Sequence, residues 1–553
     1  LFGAGGVMLR FLKRKMDCFV ALLLAMTICT MPARAADPKD CGTIVIPANS
    51  DITSFNPMFA TSVANGQAAE LSYMGLIWVN RFQQIDWSRS LASAITTPDD
   101  GRTYDVTLRN WHWSDGVAVS SADVLYAFKL IKEMGQTYPG YGQGGMPDII
   151  KSLTAIDATH FQVVLTRKVN SLWFIYDGLS QLEPLPAHDW GRYTLDQLWQ
   201  LQSTPSFYHV VDGPMLPQRL DVGLDAVFVP NPHYEGPKPH FERFIFKFIQ
   251  SDGAAVQQVV AGEIDMTGLP TELYESVLHL PGVHLEQLSP SEGWDYLAIN
   301  FANPNVAFFK DVRIREAIAD AINQPELIKI VLHGFGSPVY AAVPPADTGM
   351  IAPAFQAGHY PVGYDPAKAR ALLMQAGYTP GPDGIMQKDG KKLSFVDLMT
   401  TGSAETVLMT EVMQAQLRDV GIDMQVREIE FNQLLALMNG PPTGWESGLL
   451  GMSVGGYPSG EGLFASNAVQ NNNGYADKTM DALIDDSINK PGLAGLYAYQ
   501  AYTSEQQPEI FFPTPTDPVL VSDRLHGLND FFDPAGQLAP EQLYCTAQGS
   551  PGT

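Results

Sequence analysis

The chain has 553 residues, 45% hydrophobic and 17% charged, with 34 Lys and Arg against 59 Asp and Glu. That length exceeds one ordinary core and implies two or three lobes. The formal charge of −25 argues against nucleic acid and anionic membrane as partners, because both reward basic patches.

The first 35 residues read as a secretory signal peptide. "RFLKRK" (10–15) is a basic region, "CFVALLLAMTIC" (18–29) an apolar one, and "ARA" (33–35) a small-residue cleavage site before Ala36. The apolar stretch is shorter than the roughly 20 residues a spanning helix needs. Met8 and Met16 are the candidate starts, and no lipobox precedes Cys29 or Cys41, so a soluble product is expected. The leader takes five Lys and Arg and one Asp, which leaves 29 basic against 58 acidic residues, or −29. This balance favours solubility and biases weakly toward neutral or cationic solutes. Cys18 and Cys29 leave with the leader. Cys41 and Cys545 remain near the two ends, as a disulfide in an oxidising compartment or as two free buried thiols.

Residues 101–113 follow the turn signal Asp99-Asp100-Gly101, and Tyr104, Val106 and Leu108 alternate as in a half-buried strand. Ser120 with Asp123 three residues on predicts a capping box, with an apolar stripe of Val124, Ala127, Phe128 and Ile131 and a stop at Gly135. Residues 241–249 read as a strand with Phe244, Phe246 and Phe248 on one face. Residues 252–266 read as a short helix ending at Gly262, then a strand. Two helices are predicted over 311–334, capped by Asp311, with Pro325 at the start of the second and Gly334 at its end. Residues 364–378 follow the same grammar, with Asp365 as cap, Pro366 at the first position and Gly377 beyond the end. A hairpin turning at Asp389-Gly390 follows, then a long amphipathic helix feeding a strand over 405–429. The mix is α/β.

Two motifs suggest catalysis or nucleotide binding. "GMSVGG" (451–456) fits the nucleophile elbow G-x-S-x-G, with Ser453 as nucleophile. An elbow needs a helix directly after the serine, and "VGGYPSGEG" will not hold one. Only His526 lies downstream to complete a triad. A secreted serine hydrolase using Ser453 is therefore a distant alternative. "GYGQGG" (140–145) contains G-x-G-x-x-G but follows a helix rather than a strand, so it reads as a loop. The histidines show no H-E-x-x-H and no H-x-H, and the two cysteines lack zinc spacing, so neither a metal site nor a cofactor is expected.

From "WHWSDGVAVSSADVLYAFKLI" (111–131) onward the sequence resembles the extracytoplasmic solute-binding proteins of peptide-type ABC importers, the oligopeptide, dipeptide and nickel binding group. The likeness rests on Leu108-Arg109, Trp113-Ser114-Asp115-Gly116 and Ala122-Asp123-Val124. It continues in order through "FNP" (55–57), "NPHYEGPKP" (231–239), "GEID" (262–265), "LAINFANPNVAFFKDVRIREAIADAI" (297–322), "YDPAKARALLMQAGY" (364–378), "YPSGEGLF" (457–464), "NNNGYAD" (471–477) and "PEQLYC" (540–545).

The resemblance implies a two-lobed type II periplasmic-binding-protein clamshell of the large peptide-binder class. Lobe 1 would comprise 36–296 plus 515–553, with an extra subdomain at about 83–204, and lobe 2 would comprise 297–514. Hinge strands would lie near 296–300 and 514–522, and both remaining cysteines would fall in lobe 1. The implied function is a monomeric periplasmic binding subunit, not an enzyme, that captures peptides or peptide-like solutes and delivers them to an inner-membrane permease. An oligosaccharide, opine or metal chelate is the same-fold alternative. Asn56, Phe59, Trp294, Tyr296, Ser453, Gly455 and Tyr457 are the candidate cleft residues. Dipeptide binders of this family carry an Asp and an Arg that hold the ligand termini. Aligned on the resemblance, those positions fall at Gly455 and near Thr400, so neither charge is present.

Overall fold

The first strand of the computed structural model, β1 (Thr43–Ala48), buries Ile44, Ile46 and Ala48 and leaves the alternate positions partly exposed. This is the period-two pattern of a sheet with one face on a core. The structure describes residues 41–48, 50–80, 84–249, 251–270, 273–288, 293–400, 404–454, 456–468, 471–516, 518–532 and 537–546. The predicted leader and Gly455 lie outside them. The described residues belong to one compact unit, Asp40–Thr553.

After helix α1 (Val63–Glu70), strands β2 (Ala92–Thr96), β3 (Thr103–Leu108), β4 (Ile150–Ala155) and β5 (His160–Leu165) form an antiparallel sheet in the order β2-β3-β5-β4. Tyr104, Val106 and Leu108 are its buried stripe, as the alternation predicts. Helix α2 (Ser121–Met134) starts on the expected capping box: the Ser120 N–H donates to Asp123 Oδ2 at 2.8 Å. Strands β6 (Met215–Asp221), β7 (Asp225–Pro230) and β8 (Arg243–Phe248) complete the sheet β1-β8-β7-β6, in which β1 runs parallel to β8. Strands β9 (Met266–Gly268) and β10 (Val283–Gln287) follow.

The next strands assemble separately. Strands β11 (Gly293–Ile299), β12 (Ser394–Thr400), β13 (Asp423–Ile429), β14 (Ser447–Ser453) and β15 (Ile510–Phe512) form a sheet in the order β13-β12-β14-β11-β15. Around it lie α3 (Val312–Ala321), α4 (Pro366–Gln375), α5 (Ala404–Val420), α6 (Lys478–Asn489) and α7 (Ala494–Gln506). The caps match the sequence: Asp311 and Asp365 accept from the first turns of α3 and α4, and Gly377 has φ 91° beyond α4. The hairpin turn has Asp389 at φ 52° and Gly390 at φ 73°, the left-handed pair that a two-residue turn demands. Pro325 sits at the second position of its helix, which begins at Gln324.

The chain returns through β16 (Pro518–Ser522), inserted between β10 and β9. Among the described strands, none between 293 and 515 shares a sheet with one outside that range. The backbone therefore passes between the two strand sets twice, at 288–293 and at 515–518. Cys41 and Cys545 are joined by a disulfide with Cα atoms 5.1 Å apart. Arg524 seals the same seam. Its guanidinium donates to Asp265 at 2.7 and 2.8 Å, to Cys41 O at 2.9 Å and to Thr43 O at 2.7 Å.

Candidate functional site

Strand β11 lies next to the edge strand β15 in the second strand set. It pairs antiparallel with β14, Gly293 opposite Ser453 and Asp295 opposite Gly451, and with β15, Asp295 opposite Phe512. Beside these strands lies a cavity of about 160 Å³ lined by Asp295, Thr400, Glu405, Phe431, Gly451 and Phe512, among others. Gly451 lets the Asp295 carboxylate approach closely. A Cβ added there would sit 2.4 Å from Asp295 Oδ1, so a larger residue would make the carboxylate turn from its place across the strand pair. Thr400, where the resemblance places a missing arginine, does line this cavity.

The aromatic neighbours of Asp295 do not line it. Trp294 is 1% exposed, its indole N–H donates to Glu509 Oε1 at 2.6 Å, and its ring meets Phe511 edge-on at 6.1 Å. Tyr296 is partly buried against the core, and burial, with Glu509 and Asp295 nearby, pushes its hydroxyl above the usual tyrosine range. Successive strand residues point to opposite faces, and Asp295 takes the cavity face.

The other predicted residues are dispersed. Asn56 is fully buried and caps the 3₁₀ turn Pro57–Phe59, its Oδ1 accepting from Met58 N at 3.0 Å. Phe59 is buried against the edge of Trp199, ring centroids 5.0 Å apart. Ser453 ends β14, and the described residues from 454 to 468 form no helix, so the elbow geometry is missing there.

Tyr457 is buried in a clasp between distant segments. Its N–H donates to Asp177 Oδ1 at 2.9 Å and its hydroxyl to Ser487 O at 3.1 Å. Asn170 Nδ2 reaches Tyr457 Oη at 3.0 Å, Ser487 O at 2.9 Å and Gly492 O at 2.8 Å, while the Asn170 backbone N–H donates to Ile488 O at 2.6 Å. Trp173 Nε1 donates to Glu461 Oε1 at 3.2 Å, and Arg167 bonds Asn489. The loop after β14 thus meets the segment following β5, which belongs to the first strand set.

That segment continues into a larger cavity, about 230 Å³, walled by Tyr73, Trp78 and Tyr234 and by Gln181, Glu183 and Glu541 among others. Arg89 lines it too, but its charge is engaged. Nη2 pairs with Glu541 Oε1 at 3.0 Å, and the guanidinium lies over the Trp78 ring at 5.3 Å. Burial pushes the Glu183 carboxyl up to about 7, and Glu183 Oε1 has no hydrogen-bond partner. Sequence reasoning missed Asp295, Asn170, Glu183 and this cavity. Only for Asp295 was a signal present, its alternation with Trp294 and Tyr296. Among the described residues, no group of three or more His, Cys, Asp or Glu is placed to hold a metal ion. No described helix is long and apolar enough to cross a membrane.

Two strand sets linked by two crossings, a cavity within each, define a two-lobed α/β clamshell of the periplasmic-binding-protein class. The chain belongs to the bacterial extracellular solute-binding proteins, family 5, whose middle-region model matches residues 87–476. It is similar to the oligopeptide-binding protein AppA of Bacillus subtilis (strain 168), 24% identical over 507 residues, 89% of this chain and 90% of AppA. Against the glutathione-binding protein GsiB of Escherichia coli (strain K12) it is 25% identical over 429 residues, 76% of this chain and 75% of GsiB. The solved structure of Bacillus subtilis AppA in complex with a nonapeptide superposes with TM-score 0.67 at 22% identity, covering 92% of this chain and all of that one. NikZ from Campylobacter jejuni in complex with Ni(L-His) gives TM-score 0.69 at 21% identity, covering 89% and 96%.

Proposed function

We propose that this chain is the substrate-binding subunit of an ABC importer, which captures a peptide or peptide-like solute between its lobes and delivers it to a membrane permease. The observation that carries the reading is the match to family 5 over residues 87–476. The names of AppA and GsiB supply the peptide class. In this reading lobe 1 holds the strands before 288 and after 517, with the β2–β5 sheet as its subdomain, and lobe 2 holds 293–515.

Solute touching both lobes favours the closed arrangement by its differential affinity, and the permease reads that arrangement. The clasp of Asn170 and Asp177 with Tyr457 would form on closing. The subunit makes and breaks no covalent bond, acts as a monomer in the periplasm after removal of residues 1–35, and binds no nucleic acid. Asn56, Phe59, Trp294, Tyr296, Ser453, Gly455 and Tyr457 are the candidate cleft residues of this reading. The absence of charge at Thr400 and Gly455, with the Ni(L-His) complex of NikZ, favours a non-peptide solute as the second reading.

Native mass spectrometry of the protein purified from its own periplasm, followed by identification of the released small molecule, tests this. Peptide masses are the expected result. A single non-peptide mass would establish the second reading and overturn the peptide one.

A further inference from the structure

The smaller cavity lies where the strand order of the second sheet reverses. Strand β12 runs parallel to both β13 and β14, Thr400 opposite Ile429 and Leu398 opposite Gly448, so Thr400 and Gly451 lie at carboxyl ends. The chain leaves β12 for β13 on one side and returns to β14 on the other. Connections that depart in opposite directions leave a crevice outside the carboxyl ends of the strands, and open α/β sheets bind ligands there. This end of the sheet also adjoins the first strand set. Asp295 stands just past the crossing at 288–293, and Phe512 just before the one at 515–518. Beyond Gly451 the chain reaches Gly456, where a Cβ would lie 3.5 Å from the Tyr176 side chain of the first set.

The wall joins two carboxylates, Asp295 and Glu405, to the apolar Met409 and Leu449 and the rings of Phe431 and Phe512. Among the described residues that line it, none is lysine, arginine or histidine. Phe431 is 50% exposed, an apolar ring left at the rim. The first turn of α5 reaches the wall at Glu405 and brings a positive helix end worth about half a charge. Two full negative charges outweigh it. We propose that this cavity seats a cationic group of the solute carried on an apolar arm, an ammonium or a guanidinium, with Asp295 and Glu405 as counter-charges. Phe431 and Phe512 pack against the arm, and ring faces attract the charge it carries. The inference rests on the reading of the chain as a solute-binding subunit and narrows the solute to one carrying such a group.

The test is calorimetric titration of the purified chain, and of the double variant Asp295→Asn with Glu405→Gln, with three tripeptides. N-acetyl-Ala-norleucine-Ala carries no cation, N-acetyl-Ala-Lys-Ala carries one on its side chain, and Ala-norleucine-Ala carries one at its amino end. At least one cationic peptide is expected to bind about 10-fold or more tighter than the uncharged one, and in the double variant that ratio should fall to about 2 or below. A smaller advantage, or one that the double variant keeps, would overturn the pocket and leave the solute-binding reading standing. If no tripeptide binds, the peptide reading falls, and agmatine decides the pocket. Saturable agmatine binding that the double variant abolishes upholds it; no binding, or binding that the variant keeps, overturns it. Should the double variant unfold, Asp295→Asn alone takes its place, with the ratio expected to fall by about 3-fold or more.

Discussion

Glu509 and Glu183 are both carboxyls that burial drives upward, to about 8 and about 7, yet they sit in different kinds of surroundings. Glu509 lies in the core behind β11, 3% exposed, with the indole N–H of Trp294 at 2.6 Å. Glu183 borders a cavity, and its Oε1 meets no donor. The Glu509 carboxyl is met by a dedicated buried donor, and the Glu183 carboxyl keeps one closed-off oxygen unmet. The shift alone does not separate the two; the partner does.

Removing the donor breaks the contrast most severely. Trp294→Ala should cost about 3–5 kcal/mol of unfolding free energy in urea titrations, through the lost ring and the Glu509 carboxyl left unmet. Trp294→Phe keeps most of the packing and should recover much of that loss.

The pH dependence sharpens the contrast. Glu509 has a folded value of about 8 against an ordinary 4.5, so between those values the folded chain keeps a proton the unfolded chain has shed. Its contribution to stability is full below about pH 4.5 and declines as pH rises toward 8, by at most about 1.4 kcal/mol per pH unit. Glu509→Gln should flatten that slope in urea midpoints measured from pH 5 to 8. For Glu183→Gln the flattening should end near pH 7.

At the clasp, Tyr457→Phe removes one hydroxyl, while Asn170 keeps Ser487 O and Gly492 O, so a loss of about 0.5–1.5 kcal/mol should appear in thermal unfolding. The smallest effect is at the smaller cavity, where Gly451→Ala drives a methyl into the Asp295 carboxylate. About 1 kcal/mol or less of destabilisation is expected by the same unfolding measurement, because the carboxylate can turn aside, with a change in any solute affinity that uses the smaller cavity.

Local grammar made much of this fold legible in the sequence. The Ser120–Asp123 capping box, the Asp365-Pro366 helix start and the Asp389-Gly390 turn depend on near neighbours alone, and each stands where the pattern put it. The site was less legible. Trp294 is conspicuous in the sequence as a tryptophan near a crossing strand, but its bond to Glu509, 215 positions away, is not. Asn170 and Tyr457 are 287 apart, and no local spacing announces their bond. Gln181 ends an irregular run of π and 3₁₀ turns and Glu183 lies two residues beyond it, where residues follow neither a strand nor an α-helical period.

The Cys41–Cys545 bond makes the described chain a closed covalent loop rather than a thread with two ends. A protease that nicks one exposed turn within this loop severs the backbone without releasing a fragment, so the cut protein migrates as one molecule until it is reduced. The same closure makes interior turns such as Asp389-Gly390 natural places to open the chain and start it anew, with the original ends already held together.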